Sequence, residues 1–371
     1  MRVLLFSVTA GGGHNVTAKA IACALEERGV KTETVDTYRT AGRFLYHFFD
    51  KGYLFVIAHL GRPYGFFYRM AEKRKGDSFH RSPTAAKRLA DKFKAIIDNY
   101  RPDVIVATHS LAARILDIVR ERYGIDAKTV GIVTDFTMHP YWEDSLRLDR
   151  LVIPCEPLTA AAIQKGFRPE QLLPLGIPIH RDFSLPVEKE EAKRALGLDP
   201  ALPAIMLMNG SMGSRNLIKN LRRLDKMEER FQIIVVCGGN KRVYRSIARK
   251  KWRHPVRNLS YTAQIPELMK ASDAIVTKPG GLSTCEALAS RLPIIISSPI
   301  PGHETRNADF LTEMGAALLC DKKTSLEEAV RCVLDPSHRA RQLAAIDRLR
   351  KPCAVADLCD AILALGDAPS H

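Results

Sequence analysis

The sequence predicts an α/β protein built as two Rossmann-like domains, and three observations carry that reading. Short apolar runs alternate with helical patterns along the 371 residues, which is the signature of parallel sheets. The alternation breaks once, in an extended segment bracketed by Pro178 and Pro186. On both sides of that break, strands run into glycine-rich turns that open helices. The domains are therefore expected at residues 1–180 and 188–350, each long enough to bury its own core, with a last helix and tail over 351–371.

The elements follow in order from local pattern. Val3-Leu4-Leu5-Phe6 opens an apolar run, residues 3–8, that is too short for a signal peptide and suits a first buried strand. Further strands are expected over 31–35, 104–108, 129–133 and 151–154, with helices over 18–28, 85–99 and 112–123. In the second half the strands are 204–209, 232–237, 274–276 and 293–297, and the helices 216–230, 284–290 and 325–334. No apolar run reaches the length of a bilayer crossing. The 8 cysteines show no CxxC or Cys/His metal spacing and read as reduced thiols of a cytosolic protein.

The net charge of +15 is concentrated. Residues 62–101 hold 11 Lys/Arg against 4 Asp/Glu, and residues 215–257 hold 14 against 3, so the remainder is slightly acidic. Such patches attract anionic lipid surfaces or nucleic acid, unless they are simply solvated helix faces. Residues 43–75 hold 10 of the 26 aromatics among 7 basic and 2 acidic residues. This mixture suits the interface between acyl chains and headgroups; the alternative is a helical hairpin whose aromatics are core. Asp50, Lys51 and Gly52 interrupt its apolar runs and exclude spanning.

The turns carry the candidate chemistry. In the second half a strand ends in Pro279-Gly280-Gly281, and a helix is expected from near Ser283 or Thr284. Backbone N–H groups and the positive end of the dipole then make a pyrophosphate seat. Glu286, read on the first helical turn, reaches a ribose diol, while Glu304 and Asn307, in a polar loop after Gly302, grip sugar hydroxyls. Gly210, Ser211 and Gly213 form another close-approach turn, and Gly239 closes the next strand. In the first half His14 follows Gly11-Gly12-Gly13 at a strand's carboxyl end and beside a helix N-terminus, which disfavours imidazolium. Gly12 and Gly13 join the ligand-contacting set; the alternative is a tight turn that His14 merely caps. Asp135 and His139, after another strand, either serve His14 and a second substrate or cap a turn. Thr108-His109-Ser110 is a weaker instance of the same pattern.

Residues 277–310, TKPGGLSTCEALASRLPIIISSPIPGHETRNADF, resemble the donor-binding half of family 28 glycosyltransferases. VTAGGGHNVTAKAI from Val8 and VTDFTMHPYW from Val133 resemble the monogalactosyldiacylglycerol synthase and diacylglycerol glucosyltransferase subfamily. The resemblance implies the GT-B architecture and inverting transfer of a hexose from UDP-glucose or UDP-galactose to the hydroxyl of diacylglycerol. His14 is then the base, Asp135 orients it, and the last helix packs back on the first domain. Backbone groups at Gln264-Ile265 read the uracil. The chain has no Asp-x-Asp motif near the donor loops, so no metal or other cofactor is expected, and the hydroxyls of Ser283 and Thr284 help to hold the leaving UDP. His303 stands where the family commonly has Gln. The expected place is peripheral, on the cytoplasmic face of an anionic membrane, with no nucleic-acid partner. A transferase for an undecaprenyl-linked acceptor, a UDP-sugar 2-epimerase and a nucleic-acid-binding protein are the competing readings.

Overall fold

The computed structural model describes residues 1–9, 12–42, 84–210 and 215–367. The aromatic-basic segment 43–75, and Ser211 and Gly213 of the second-half turn, lie outside the described residues. The chain divides into two compact units, Met1–His180 with Pro301–His303 and Cys353–His371, and Arg181–Ile300 with Glu304–Pro352.

In the first unit, β1 (Arg2–Ser7), β2 (Lys31–Asp36), β3 (Val104–Ala107), β4 (Lys128–Ile132), β5 (Arg150–Val152) and β6 (Leu172–Leu173) form one sheet. Every pairing is parallel, in the order β2-β1-β3-β4-β5-β6. Helices α1 (Gly13–Glu26), α2 (Thr37–Ala41), α3 (Thr84–Tyr100), α4 (Ser110–Tyr123) and α5 (Thr159–Gln164) connect them. Helix-covered parallel strands are buried on both faces, and β1 beyond Arg2 and all of β3 are buried accordingly. Gly131 in β4 is a packing requirement, because a Cβ there would meet Leu148, Leu151 and Trp142 at 2.8–2.9 Å. Trp142 is buried at this contact.

In the second unit, β7 (Ala204–Met208), β8 (Gln232–Val236), β9 (Val256–Leu259), β10 (Ala274–Thr277), β11 (Ile294–Ile296) and β12 (Ala317–Leu319) form another parallel sheet. Its order is β12-β11-β10-β7-β8-β9. The helices here are α6 (Lys189–Ala195), α7 (Arg215–Leu224), α8 (Lys241–Ala248), α9 (Ile265–Ala271), α10 (Gly281–Ala289), α11 (His303–Glu313), α12 (Leu326–Leu334) and α13 (Pro336–Leu349). The helix expected over 216–230 stops at Leu224, because Asp225 Oδ1 accepts from Arg253 N and His254 N and turns the chain. The polar loop expected up to Asn307 is the start of α11 instead. Gly302, at φ 113, makes the turn, and Glu304 then sits in the first helical turn, where a carboxylate is favoured.

The last helix, α14 (Ala354–Gly366), belongs to the first unit. Its Leu358, Cys359 and Ile362 share a core with Val3, Leu5, Ile21, Leu25 and Val104, and Asp360 pairs with Arg28 of the loop after α1.

Both sheets reverse their winding once, between β1 and β3 in the first and between β7 and β10 in the second. In sheets of this kind such a reversal, beyond the carboxyl ends of the strands, is the usual ligand position.

Candidate functional site

In the first unit the loops after β1, β3 and β4 bring His14, Thr108, His109, Thr134 and Asp135 together. Gly12 is the N-cap of α1 at φ 84, a left-handed conformation that glycine adopts without strain, and no side chain caps the helix. His14 follows in the first turn, half-buried. Its Nδ1 lies 2.6 Å from the Thr108 carbonyl oxygen, which only accepts, so Nδ1 carries the proton and Nε2 keeps its lone pair. Thr134 Oγ1 is 3.3 Å from the same nitrogen.

Desolvation lowers the His14 pKa below its usual 6.5, and the Asp135 charge opposes that shift only in part. At neutral pH the ring is therefore an uncharged acceptor. The Thr108 carbonyl, and not Asp135 as expected, fixes the tautomer; Asp135 acts on His14 through its field. His109 stands edge-on to His14, ring centroids 4.7 Å apart, and its Nδ1 caps α4 by accepting from Leu111 N at 3.0 Å. Burial holds its pKa well below 6.5. His139 caps the turn Pro140–Asp144 by accepting from Tyr141 N at 3.3 Å.

In the second unit β10 runs through Lys278, Pro279 and Gly280 into α10. The N-cap Gly280 supplies no side-chain cap, so the N–H groups of Gly281, Leu282 and Ser283 have no side chain from the cap over them. Gly280 has an ordinary φ of −71, and a Cβ built there meets nothing within 4 Å. Among the described residues neither backbone strain nor packing calls for glycine at this position, so there is room for close approach by a ligand. Gly210, at φ 70, is equally open in front. Gly239 is exposed beside Asn240, whose side chain caps α8, and Ile265 is the half-buried first residue of α9.

Glu304 is 7% exposed, with Oε2 accepting from Ile300 N at 2.7 Å and Oε1 lying 3.5 Å from Lys278 Nζ. A carboxylate accepts about four hydrogen bonds, so capacity remains for a ligand. Lys278 went unnoticed in the sequence, although a lysine wedged between a strand and a Pro-Gly-Gly turn is a cation placed beside an anion seat.

Glu286 is buried, and desolvation alone raises its pKa to about 8. It is the sixth residue of α10 and so occupies the second turn, because the helix begins at Gly281 and not at Ser283 or Thr284. Two expected ligand contacts need correction. Thr284 is fully buried and its Oγ1 is sealed inside the unit, which leaves half-buried Ser283 as the hydroxyl at this helix end. Asn307 is also fully buried; its Nδ2 donates to the Pro279 carbonyl at 2.9 Å, bracing the glycine turn from beneath and not reaching for a sugar.

Comparison with known proteins agrees with these two halves. The family profile described as monogalactosyldiacylglycerol (MGDG) synthase matches residues 14–179, and that of the glycosyltransferase family 28 C-terminal domain matches residues 204–354. The chain is 26% identical to a processive diacylglycerol beta-glucosyltransferase of Bacillus pumilus, over 92% of this chain and 89% of that protein. It is 29% identical to the chloroplastic monogalactosyldiacylglycerol synthase of Spinacia oleracea, over 95% of this chain and 70% of that one. Among solved structures, Acinetobacter baumannii MurG superposes with a TM-score of 0.67 at 14% identity, over 98% of this chain and 99% of that one, a likeness of fold.

Proposed function

Because the chain belongs to the family 28 glycosyltransferases, in the group of monogalactosyldiacylglycerol synthases and diacylglycerol glucosyltransferases, we propose that it transfers a hexose from a UDP-sugar to the hydroxyl of diacylglycerol with inversion. The observation that carries this reading is that both halves match separately, while relatives named for glucosyl and for galactosyl transfer each align over most of the chain. The two sugars differ between those relatives; diacylglycerol is common to both.

In this reading the acceptor chemistry falls to the first unit. His14 Nε2 takes the proton of the diacylglycerol hydroxyl as its oxygen bonds to the anomeric carbon and the bond to the UDP oxygen breaks. Nδ1–H, held by the Thr108 carbonyl, keeps the accepting nitrogen in place, and Asp135 favours the imidazolium that forms. The donor chemistry falls to the second unit, where the free N–H groups of α10 and the Lys278 ammonium stabilise the departing diphosphate. Glu286 takes the ribose and Glu304 the hexose. No metal has a step in this account, so turnover is expected to continue in a strong chelator. In this reading the enzyme works peripherally, on the cytoplasmic face of the membrane that holds its acceptor. No helix among the described residues is long and apolar enough to cross a membrane.

The open space in front of Gly280 gives a prediction that separates ligand contact from folding. Gly280→Ala leaves the melting temperature unchanged, within about 0.5 kcal/mol of stability, because the methyl meets no atom of the described residues within 4 Å. The same methyl lowers UDP affinity by roughly tenfold or more by holding the phosphate off the backbone. A variant that binds UDP normally removes the phosphate from this turn.

The function itself is tested by incubating the protein with diacylglycerol vesicles and UDP-glucose or UDP-galactose, with and without chelator, and weighing the lipids by mass spectrometry. A hexosyl-diacylglycerol supports the proposal. Glycosylation of an undecaprenyl-linked acceptor alone, or conversion of the UDP-sugar without any lipid product, refutes it.

A further inference from the structure

We propose that helices α7 and α8 of the second unit form a cationic face that docks on the surface of an anionic phospholipid bilayer. The choice of a bilayer rests on the lipid acceptor proposed above; the face itself rests on geometry. Leu217, Leu221 and Leu224 of α7 and Val243 and Ile247 of α8 all enter one core with Ile205, Leu207, Ile233 and Val235 of the sheet. Two neighbouring helices that bury their apolar sides in the same core turn their other sides to the same solvent.

Those other sides are basic. Lys219 and Arg222 are exposed three residues apart on α7, Lys226 is exposed in the turn just beyond its end, and Lys241, Arg242 and Arg245 are exposed along α8. Arg223, between the first three, is tied to Glu327. Among the described residues the six exposed cations have no acidic partner. Two of the three nearby carboxylates are committed elsewhere, Asp225 to backbone N–H groups and Glu229 to Arg331.

The cationic stripe also has a shape. Lys219, Arg222, Arg223 and Lys226 line a surface hollow of about 400 Å³ together with Ile218. Like charges three and four residues apart on a helix repel, and of these cations only Arg223 has an acidic partner among the described residues. An anionic phosphodiester relieves that repulsion, and a plane of headgroups relieves it along both helices at once. A single-stranded polynucleotide is the less fitting polyanion, because it needs aromatic faces for its bases. Tyr244, the one aromatic residue of the two helices, is half-buried against the core, as is Trp252 beyond them.

The test uses the full chain and two triple variants, Lys219→Glu/Arg222→Glu/Lys226→Glu and Lys241→Glu/Arg242→Glu/Arg245→Glu, each also made with Gln in place of Glu. Partition is measured on phosphatidylcholine vesicles with and without phosphatidylglycerol, at rising salt, beside UDP affinity and turnover on detergent-dispersed diacylglycerol. A basic side chain near an anionic surface is worth roughly fivefold in partition, so each triple variant loses on the order of 100-fold on the anionic vesicles at low salt. The loss shrinks as salt screens it, and partition on neutral vesicles, UDP affinity and detergent turnover stay at parental values. Parental partition in folded variants of both helices overturns the proposal, as does a loss confined to polynucleotide retention. Absence of glycolipid in detergent from parent and variants alike counts against the proposed reaction and leaves the vesicle result to judge the face.

Discussion

Replacing His14 by glutamine lowers turnover by roughly 10²–10⁴, the usual worth of a general base, with UDP affinity unchanged. The size follows from what is lost. Glutamine can still hydrogen-bond the Thr108 carbonyl, but no atom of it accepts a proton near neutral pH. The parent enzyme carries a matching pH signature. Desolvation puts the His14 pKa below 6.5, so the ring is neutral above that pH and protonated, hence inactive, below its own pKa. The rate should therefore fall on the acid side of a plateau that extends through pH 7, and His14→Gln should lack that limb. An Asp135 variant keeps the limb but moves it to lower pH, because the Asp135 charge is what favours the protonated ring.

Glu286→Gln is expected to stabilise the fold and impair the ligand site together. The carboxyl titrates near 4.5 when unfolded and is pushed to about 8 in the folded chain by burial. Between those values the folded state binds more protons than the unfolded one, so stability falls as pH rises through the window. At pH 7 the accumulated penalty is about 3 kcal/mol as an upper bound, and it is absent below pH 4.5. Glutamine, neutral throughout, removes it. The variant should melt higher than the parent at pH 7 to 8 and equally at pH 4, while UDP affinity drops by about 1.5–3 kcal/mol for the lost charged acceptor. Ribose hydroxyls donate to the carboxylate and favour its ionised form, so UDP binding to the parent should release protons at neutral pH. An equal melt at pH 8 would show that the carboxyl is not desolvated; unchanged UDP affinity would take the ribose elsewhere.

The alternation of apolar runs and helices made two parallel sheets legible in the sequence, because strands covered on both faces must be apolar end to end. Strand order was not legible: burial says that a strand is central, and not which strand lies beside it. Without the order, the winding reversals at β1/β3 and β7/β10 could not be located. Leu172–Leu173 and Ala317–Leu319 are too short for any period to register. The segment Gly281–Ala289 is buried nearly all round, so it has no polar stripe to say which of Ser283 and Thr284 faces outward. The partner of His14 was hidden for another reason. It is the backbone carbonyl of Thr108, which carries no side-chain signal, although the neighbouring His109 had marked the same strand end.

The measurement that tests the account most directly is the anomeric configuration of the glycolipid, read by proton NMR on product made from an α-linked UDP-hexose and diacylglycerol. Direct attack by a hydroxyl deprotonated at His14 gives a β-linked hexosyl-diacylglycerol. An α-linked product would require a mechanism other than single displacement, and absence of any hexosyl-diacylglycerol would contradict the proposed reaction itself.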